Sequence, residues 1–322
     1  MPFRYIIYIL SGGENYEYLS TLSGGGFKGL YTAKVLERLE EELKVPIAQK
    51  FDLIAGTSIG GIIALALAYE IPCKEIIDFF NENGKKIFKK RLNFAIIPKY
   101  GKKHLKDALA KIFGDAKIGD LKHRVIIPTI NYSSGKVQLF KTRHHSTFIT
   151  DYKRSLVDVA MSTAAAPVYF PVYHTGYGDF IDGGLVANHP GLFAILEAKQ
   201  FLNKEVADIS MLHIGTLSQR FTSDGRTNLG LLRWRTKLLN LLFSCQDQSV
   251  NQIVQFLLND RYYSIDEIIT EQQSKKIALD KTDHTAVKIL IQHAEEKVKE
   301  FMGTEKFKAL KEYTTQGFKP IP

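Results

Sequence analysis

Residues 51–69 constrain the fold more than any other part of this chain, and they read FDLIAGTSIGGIIALALAY. An apolar strand is followed by a serine between two glycines, Gly56-Thr57-Ser58-Ile59-Gly60, and then by an almost wholly apolar helix. A strand, a G-x-S-x-G turn and a helix form a nucleophile elbow, in which the serine stands clear of a buried sheet. Side chains at the flanking positions would collide with the neighbouring strand or helix. We therefore assign Gly56 and Gly60 to an elbow and Ser58 as a candidate nucleophile.

The composition is that of a globular protein with a sizeable core: 322 residues, of which 45% are hydrophobic and 24% charged. Neither Cys73 nor Cys245 sits in a cluster with metal-ligand spacing, so we expect no zinc site and no disulfide framework. Such sparse cysteine usage fits a reducing, cytoplasmic compartment. The apolar run at 3–10 is shorter than the ~18 residues of a membrane span and has no cleavage site. We take residues 1–15 as an N-terminal extension.

The net charge of +9 is concentrated in one segment. Between Lys85 and Arg124 there are 13 Lys and Arg residues against three acidic residues. A basic surface of this kind suits nucleic acid, an anionic membrane or a phosphate-bearing ligand, and it also occurs as a merely solvated face. The segment lacks the interleaved aromatic and basic residues of a stacking platform. We therefore expect no nucleic-acid partner.

A second glycine loop precedes the elbow, between a short strand at 18–22 and an amphipathic helix at 30–43. It reads Ser23-Gly24-Gly25-Gly26-Phe27-Lys28-Gly29. Three consecutive glycines leave backbone N–H groups free to close on an anion. The spacing fits neither common nucleotide-binding pattern. A loop of this kind near an elbow serine suits an oxyanion hole, where Lys28 would add positive charge.

A third motif at 180–190, FIDGGLVANHP, ends a short strand on Asp182 and turns on two glycines. Taken alone, an acid on such a turn is commonly a turn-former or a cap. Elsewhere the pattern predicts a hairpin of strands at 125–130 and 137–141 and a further strand at 209–214. From about Leu229 the sequence pattern is that of helices, and Asp283 is the predicted N-cap of the second of these helices.

In this order, the three motifs resemble the patatin-like phospholipase family over about residues 16–216. The resemblance implies a three-layer α/β/α fold with a mainly parallel central sheet, and we expect a helical C-terminal part, 217–322, packed on it. It also implies hydrolysis of lipid acyl esters without histidine, metal or calcium. By position, Ser58 is the nucleophile, Asp182 its base, and Gly24, Gly25 and Gly26 with Lys28 the oxyanion loop. The chain departs from the common D-G-G-G-x-R-G pattern at Ser23 and at Lys28, which keeps the charge but loses the planar fork of Arg.

Longer stretches resemble one bacterial subgroup: LSGGGFKGLYTAKVLERLEE, FDLIAGTSIGGIIALALA and RYYSID. This subgroup comprises the patatin-like effectors of CBASS antiphage systems, which a cyclic dinucleotide such as cyclic GMP-AMP switches on to degrade membrane phospholipid. The resemblance implies membrane phospholipid as substrate, a cyclic dinucleotide activator, a homo-oligomer and contact with the inner face of the membrane. The basic segment or the C-terminal part would bind the activator, and the sequence does not choose between them.

Two other functions fit the same residues. A Ser-His-Asp triad on an α/β-hydrolase fold would use His174, His189 or His213. A non-catalytic module would use the glycine loop and the basic segment to bind a phosphorylated ligand. A free aspartate, with a pKa of about 3.9, is a weak base. The dyad therefore requires desolvation of Asp182 or strong stabilisation of the oxyanion.

Overall fold

A computed structural model describes residues 16–92, 96–217, 231–274 and 276–321. Within these ranges eight strands form one sheet: β1 Glu17–Leu22, β2 Leu53–Gly56, β3 Val125–Asn131, β4 Lys136–Lys141, β5 Tyr173–Thr175, β6 Gly178–Asp182, β7 Ile209–Ile214 and β8 Tyr262–Ile265. The α-helices are α1 Gly29–Leu43, α2 Ile59–Ala68, α3 Cys73–Ile87, α4 Lys103–Phe113, α5 Leu156–Thr163, α6 Gly184–Ala187, α7 Gly191–Phe201, α8 Leu231–Leu258, α9 Glu271–Ser274, α10 His284–Met302 and α11 Glu305–Glu312. The predicted extension at 1–15 lies outside the described residues.

The sheet is mixed and mainly parallel in its central part. Its strand order is β5-β6-β3-β2-β1-β7-β8, with β4 paired to β3 off this path. Strands β3, β2, β1, β7 and β8 run parallel to one another. Strands β4 and β6 pair antiparallel to β3, and β5 pairs antiparallel to β6. The predicted hairpin is confirmed as β3 and β4, and the predicted strand at 209–214 as β7.

Helices cover both faces of the sheet, so the three-layer α/β/α architecture is confirmed. Alternate strand residues face opposite layers: Leu22 and Ile54 join the core with α1, α2 and α10, whereas Leu19 and Leu53 join the core with α7 and α8. Helix α2 is buried over its whole length, which its apolar sequence IGGIIALALA predicts.

Strands β2 and β6 meet end to end along one edge of β3. Strand β4 occupies the other edge of β3, because it pairs with residues 126–131. On the shared edge, β2 pairs with Val125 and Ile126, and β6 pairs with residues 129–131 in the opposite direction. The carboxyl ends of β2 and β6 therefore approach each other, and these ends carry Gly56 and Asp182.

The C-terminal part contributes to the sheet as well as to the helical layers. Strand β8 pairs in parallel with β7 through Tyr262–Ile265, a segment in which the sequence pattern predicted no strand. Helix α10 contributes buried Leu290, Ala294 and Val298 to the same core as α1, and its predicted N-cap is confirmed, since Asp283 accepts from the Ala286 N–H at 3.0 Å. The boundary at 216 stays a prediction. None of the described helices is long and apolar enough to cross a membrane.

Candidate active site

Ser58 lies on a strained turn between β2 and α2. Its backbone angles are φ 55° and ψ −125°, a region that residues with a side chain rarely adopt and that costs about 1–3 kcal/mol. Hydrogen bonds on both sides hold the turn. The Thr163 hydroxyl accepts from the Ser58 N–H at 3.0 Å, and the Thr57 hydroxyl donates to the Ala187 carbonyl at 2.6 Å. The Ser58 side chain makes no capping bond to α2, so its hydroxyl is left for another partner.

The two elbow glycines are required by close backbone approach. A Cβ atom at Gly60 would lie 2.3 Å from the carbonyl oxygen of Leu22 on β1. A Cβ atom at Gly56 would lie 2.2 Å from the carbonyl oxygen of Gly60. Real Cβ atoms do not come this close to backbone atoms, so a side chain at either position would separate α2 from the sheet. This is the steric reason for glycine that the motif predicts.

The Ser58 hydroxyl donates a hydrogen bond to Asp182, with 2.6 Å between Oγ and Oδ2. The other carboxylate oxygen of Asp182, Oδ1, accepts from the Gly184 N–H at 2.7 Å. Asp182 is the last residue of β6, so the end-to-end meeting of β2 and β6 brings these two side chains together. The structure thus places the predicted nucleophile and base in direct contact, although 124 residues separate them in the chain.

Burial makes Asp182 a stronger base than a free aspartate. Its side chain is almost completely inaccessible, and desolvation raises its pKa from an ordinary value of 3.8 to about 6. The hydrogen bonds from Ser58 and Gly184 favour the charged form and limit the rise of the pKa. Desolvation, one of the two conditions for an aspartate base, is present at this site.

Two of the predicted oxyanion residues, Gly25 and Gly26, line the pocket that contains Ser58 and Asp182. Over the described parts of the chain, neither backbone N–H donates to a protein acceptor, so both are free to bind an oxyanion. The backbone of Gly26 has φ +58°, and a Cβ there would lie 2.3 Å from the carbonyl oxygen of Leu279. Glycine is therefore needed at 26 for both conformation and space.

The other two predicted oxyanion residues are placed differently. The N–H of Gly24 already donates to the Asn188 carbonyl at 3.2 Å. Lys28 is buried, and its ammonium donates to the Leu217 carbonyl at 3.1 Å, outside the set of residues that line the pocket. Burial lowers the pKa of Lys28, while Asp266 and Asp247 oppose this effect. These contacts favour a positioning role for Gly24 and Lys28, and direct stabilisation of an oxyanion by them stays a prediction.

The pocket beside Ser58 is mainly apolar. It encloses about 700 Å³ of unfilled space, open solvent at its edge included. The side chains that line it away from Asp182 are aliphatic and aromatic: Ile59, Ile62, Phe79, Phe80, Ile87, Phe88, Leu105, Tyr169, Phe170, Phe243 and Leu279. A pocket of this composition is suited to an apolar chain attached to a reacting ester.

No histidine contacts the dyad anywhere in the described ranges. His189 and His213 stack on each other with ring centroids 3.7 Å apart, and both are buried. His189 accepts from the Gly191 N–H and bonds Tyr262, whereas His213 bonds Thr21. Burial lowers the pKa of His213 to about 4 and also lowers the pKa of His189. His174 is exposed and pairs with Asp179, so the structure does not assemble the Ser-His-Asp alternative.

Several residues at the site were not predicted from the sequence. Thr163 and Asn188 fix the backbone of Ser58 and Gly24, and Thr216 donates to the Gly24 carbonyl at 3.0 Å. Phe243 and Leu279 reach the pocket from the C-terminal part. Asn188 lies inside the third motif, so its position could have suggested a role. In the part of the chain that the structure describes, no cluster of His, Cys, Asp and Glu could hold a metal ion.

A serine elbow at the end of a mainly parallel sheet, beside a buried acid and an apolar pocket, defines the class of the protein as an ester hydrolase. The family model described as patatin-like phospholipase matches residues 21–195, more than half of the chain. The chain therefore belongs to the patatin-like phospholipase family, and it is a carboxylic ester hydrolase.

Three relatives share most of their length with this chain. It is 45% identical over 291 residues to a "cGAMP-activated phospholipase" of Pseudomonas aeruginosa, with 87% of each chain covered. It is 31% identical over 304 residues to a "cGAMP-activated phospholipase" of Escherichia coli, covering 84% of this chain and 85% of the relative. It is also 29% identical over 263 residues to a "cUMP-AMP-activated phospholipase" of Escherichia coli, covering 77% of this chain and 80% of the relative.

Proposed function

We propose that this enzyme cleaves acyl esters of membrane phospholipids with a Ser58–Asp182 dyad. The observation that carries the proposal is the 2.6 Å hydrogen bond between Ser58 Oγ and a desolvated Asp182, in a pocket with apolar walls. A hydroxyl already bonded to its base needs no rearrangement before proton transfer. The apolar walls suit an acyl chain whose ester carbonyl lies at Ser58.

The reaction follows from these positions. Ser58 Oγ attacks the ester carbonyl while its proton passes to Asp182, and the Gly25 and Gly26 N–H groups stabilise the tetrahedral oxyanion. The alcohol leaves with the proton from Asp182, and an acyl-enzyme remains. Asp182 then takes a proton from a water molecule that attacks the acyl group, and it passes this proton to Ser58 Oγ as the bond to the acyl group breaks and the fatty acid is released. We propose that the reaction needs no metal ion, because the dyad and the backbone N–H groups supply the base and the stabilising charge.

We propose that five exposed residues, Lys89, Lys90, Arg91, Leu92 and Ile96, bring the pocket to an anionic membrane. Leu92 and Ile96 are 89% and 91% exposed, and the neighbouring Lys89, Lys90 and Arg91 are exposed cations. Apolar side chains next to cations suit insertion between anionic head groups. The backbone of Arg91 also lies beside the pocket. The Lys99 carbonyl accepts from the Arg91 N–H, and the Lys99 N–H donates to the Val168 carbonyl. The two residues that follow Val168, Tyr169 and Phe170, line the pocket.

The membrane surface can be separated from the catalytic step with a double variant. Leu92→Ser with Ile96→Ser should weaken sedimentation with phosphatidylglycerol–phosphatidylethanolamine vesicles and slow vesicle hydrolysis at least fivefold. Hydrolysis of a soluble short-chain ester should be unchanged, because these side chains do not line the pocket. The matched control replaces two other exposed residues, Ile149→Ser with Leu196→Ser, which are 60% and 56% exposed. Equal effects of the two double variants would refute the assignment.

We propose that a cyclic dinucleotide switches the enzyme on and that the enzyme acts in antiphage defence. The support is the 45% and 31% identity to two relatives named for activation by cGAMP, together with the subgroup resemblance of the sequence. Because relatives are named for both cGAMP and cUMP-AMP, a panel of dinucleotides is the appropriate probe. Formation of a homo-oligomer is part of the same proposal and is measurable by light scattering with and without the panel.

The deciding experiment measures fatty-acid release from phospholipid vesicles by wild type, Ser58→Ala and Asp182→Asn, with each dinucleotide, with none, and with EDTA. We expect release that requires both residues and one dinucleotide and that EDTA leaves unchanged. Full activity of Asp182→Asn would refute the dyad, and loss in EDTA that calcium restores would refute metal independence. Release without any dinucleotide would refute the activation step alone. Tight dinucleotide binding without release under any condition would favour the binding module.

A further inference from the structure

One carboxylate oxygen on a distant helix connects the first residue of the glycine loop to the segment that follows Asp182. Asp247, on α8, accepts from the Ser23 hydroxyl at 2.8 Å through its Oδ1 atom. The same Oδ1 atom accepts from the Asn188 side-chain amide at 3.3 Å. Ser23 opens the glycine loop, and Asn188 follows α6 on the segment that begins at Asp182. One oxygen atom thus joins the two loops that carry the site.

The same two loops also contact each other next to the nucleophile. The Gly24 N–H donates to the Asn188 carbonyl at 3.2 Å, and a Cβ at Gly24 would lie 3.1 Å from the Cβ of Ser58. The residue before Asp247 strengthens the attachment, because Gln246 accepts from the His189 N–H at 2.9 Å. A shift of Asp247 would therefore be transmitted to the backbone that touches Ser58.

We infer that Asp247 is a positioning residue, which sets the glycine loop so that its N–H groups face the oxyanion formed at Ser58. Ser23 and Asn188 are 1% and 7% exposed, so their donors depend on protein acceptors. Loss of Asp247 would remove this acceptor from the Asn188 amide, would leave the Ser23 hydroxyl with only the longer contact to His213 Nε2 at 3.4 Å, and would let the two loops move apart. Catalytic geometry is sensitive to displacements of about 1 Å. The inference rests on the proposed role of Ser58, and it adds a residue that does not touch the substrate.

The swapped double variant Ser23→Asp with Asp247→Ser provides the test. The summed reach of the two side chains is unchanged, and a hydroxyl–carboxylate hydrogen bond can form in the reverse direction. Ser23→Asp alone would place two carboxylates side by side, and Asp247→Ser alone would leave two hydroxyls too short to meet. Asp247→Asn keeps an acceptor of the same shape and is the conservative variant. Gln248→Ala, at the exposed neighbouring position on α8, is the matched control.

Two rates are measured: kcat for vesicle hydrolysis with activator, and the rate at which a fluorophosphonate probe labels Ser58. Removal of one oxyanion donor costs about 10²–10³ in kcat, and a displaced donor should cost less. We expect each single replacement to lower both rates about 10- to 100-fold with KM nearly unchanged. The swap should recover at least tenfold, and Asp247→Asn and Gln248→Ala should stay within threefold of wild type.

A swap no faster than the slower single variant would overturn the inference, as would an Asp247→Ser variant with wild-type kcat. Thermal unfolding of each variant shows whether a lost rate reflects lost folding, and the swap and Asp247→Asn remain decisive if one single variant does not fold. Failure of the proposed function has a separate signature, because either the wild type would then release no fatty acid or Ser58→Ala would release it as fast as the wild type. The labelling rate reports on the loop even if the substrate is not a phospholipid.

Discussion

The buried charge of Asp182 should make the wild-type protein less stable than its isosteric variant Asp182→Asn. Asp182→Asn replaces a desolvated carboxylate with a neutral group of the same shape, next to the same Ser58 hydroxyl. Burial raises the pKa of Asp182 from 3.8 to about 6, which means that the folded protein disfavours the charged form. At about 1.36 kcal/mol for each pKa unit, the cost of this charge at neutral pH is about 3 kcal/mol.

The sign of the pH dependence follows from the direction of this pKa change. Because the pKa is higher in the folded state, the folded protein binds the proton more tightly than the unfolded chain between pH of about 4 and 6. The contribution of Asp182 to the stability of the wild type therefore falls as pH rises through this window and is constant above it. Asp182→Asn does not titrate, so we expect it to be more stable by about 1–3 kcal/mol at pH 8 and nearly equal at pH 4.

Urea unfolding at a series of pH values, followed by circular dichroism, measures this difference in the free energy of unfolding. Asp115→Asn is the matched control, because Asp115 is exposed. Its difference in free energy of unfolding from wild type should not grow as the pH rises. A variant less stable than wild type at pH 8 would refute the desolvation reasoning. A difference that is the same at pH 4.5 and pH 8 would refute it equally, since the charge would then not be its source.

Three further outcomes test the geometry of the site. If Asp182 is the base, kcat/KM for a soluble ester should rise about tenfold per pH unit to a pH of about 6 and then level, whereas a plateau already complete at pH 4.5 would contradict the raised pKa. Gly60→Ala should destabilise the fold by about 2–4 kcal/mol in chemical denaturation, because its Cβ would lie 2.3 Å from Leu22 O, while Gly101→Ala, with no atom within 4 Å, is the control. Thr163→Ala should lower kcat about tenfold because the strained Ser58 N–H loses its acceptor, and Thr163→Ser should restore it; equal rates for the two variants would remove Thr163 from the site.

The local parts of the site could be predicted from the sequence because each depends on a short pattern. The elbow at Ser58 needs glycines within two residues on either side, and the strand that ends in Asp182 is followed directly by its glycine turn. The strand and helix bounds around these motifs agree with the structure to within a few residues. The pairing of Ser58 with Asp182 followed from family resemblance and not from any spacing in the chain.

The contacts between distant segments could not be predicted from the sequence. Asp247 lies 224 residues from its partner Ser23 and is a lone acid in a helix, which more commonly marks a solvated position. Strand β8 has four residues and no clear alternation, so its pairing with β7 depends on the sheet edge that is already present. The charge of Lys28 suggested an oxyanion partner, but the direction of its side chain, toward Leu217, is set by tertiary packing.

Part of the pocket wall comes from residues near the C-terminal end of the chain, and this order has a consequence for synthesis of the protein. Phe243 and Leu279 line the pocket, and the Leu279 carbonyl accepts from the Phe27 N–H at 2.7 Å. A ribosome-bound nascent chain contains Ser58 and Asp182 long before these residues emerge. We expect prematurely terminated products that end before Leu279 to carry the dyad without hydrolysing lipid. A cell that makes this enzyme would then be protected from its unfinished copies by the order in which the polypeptide is translated.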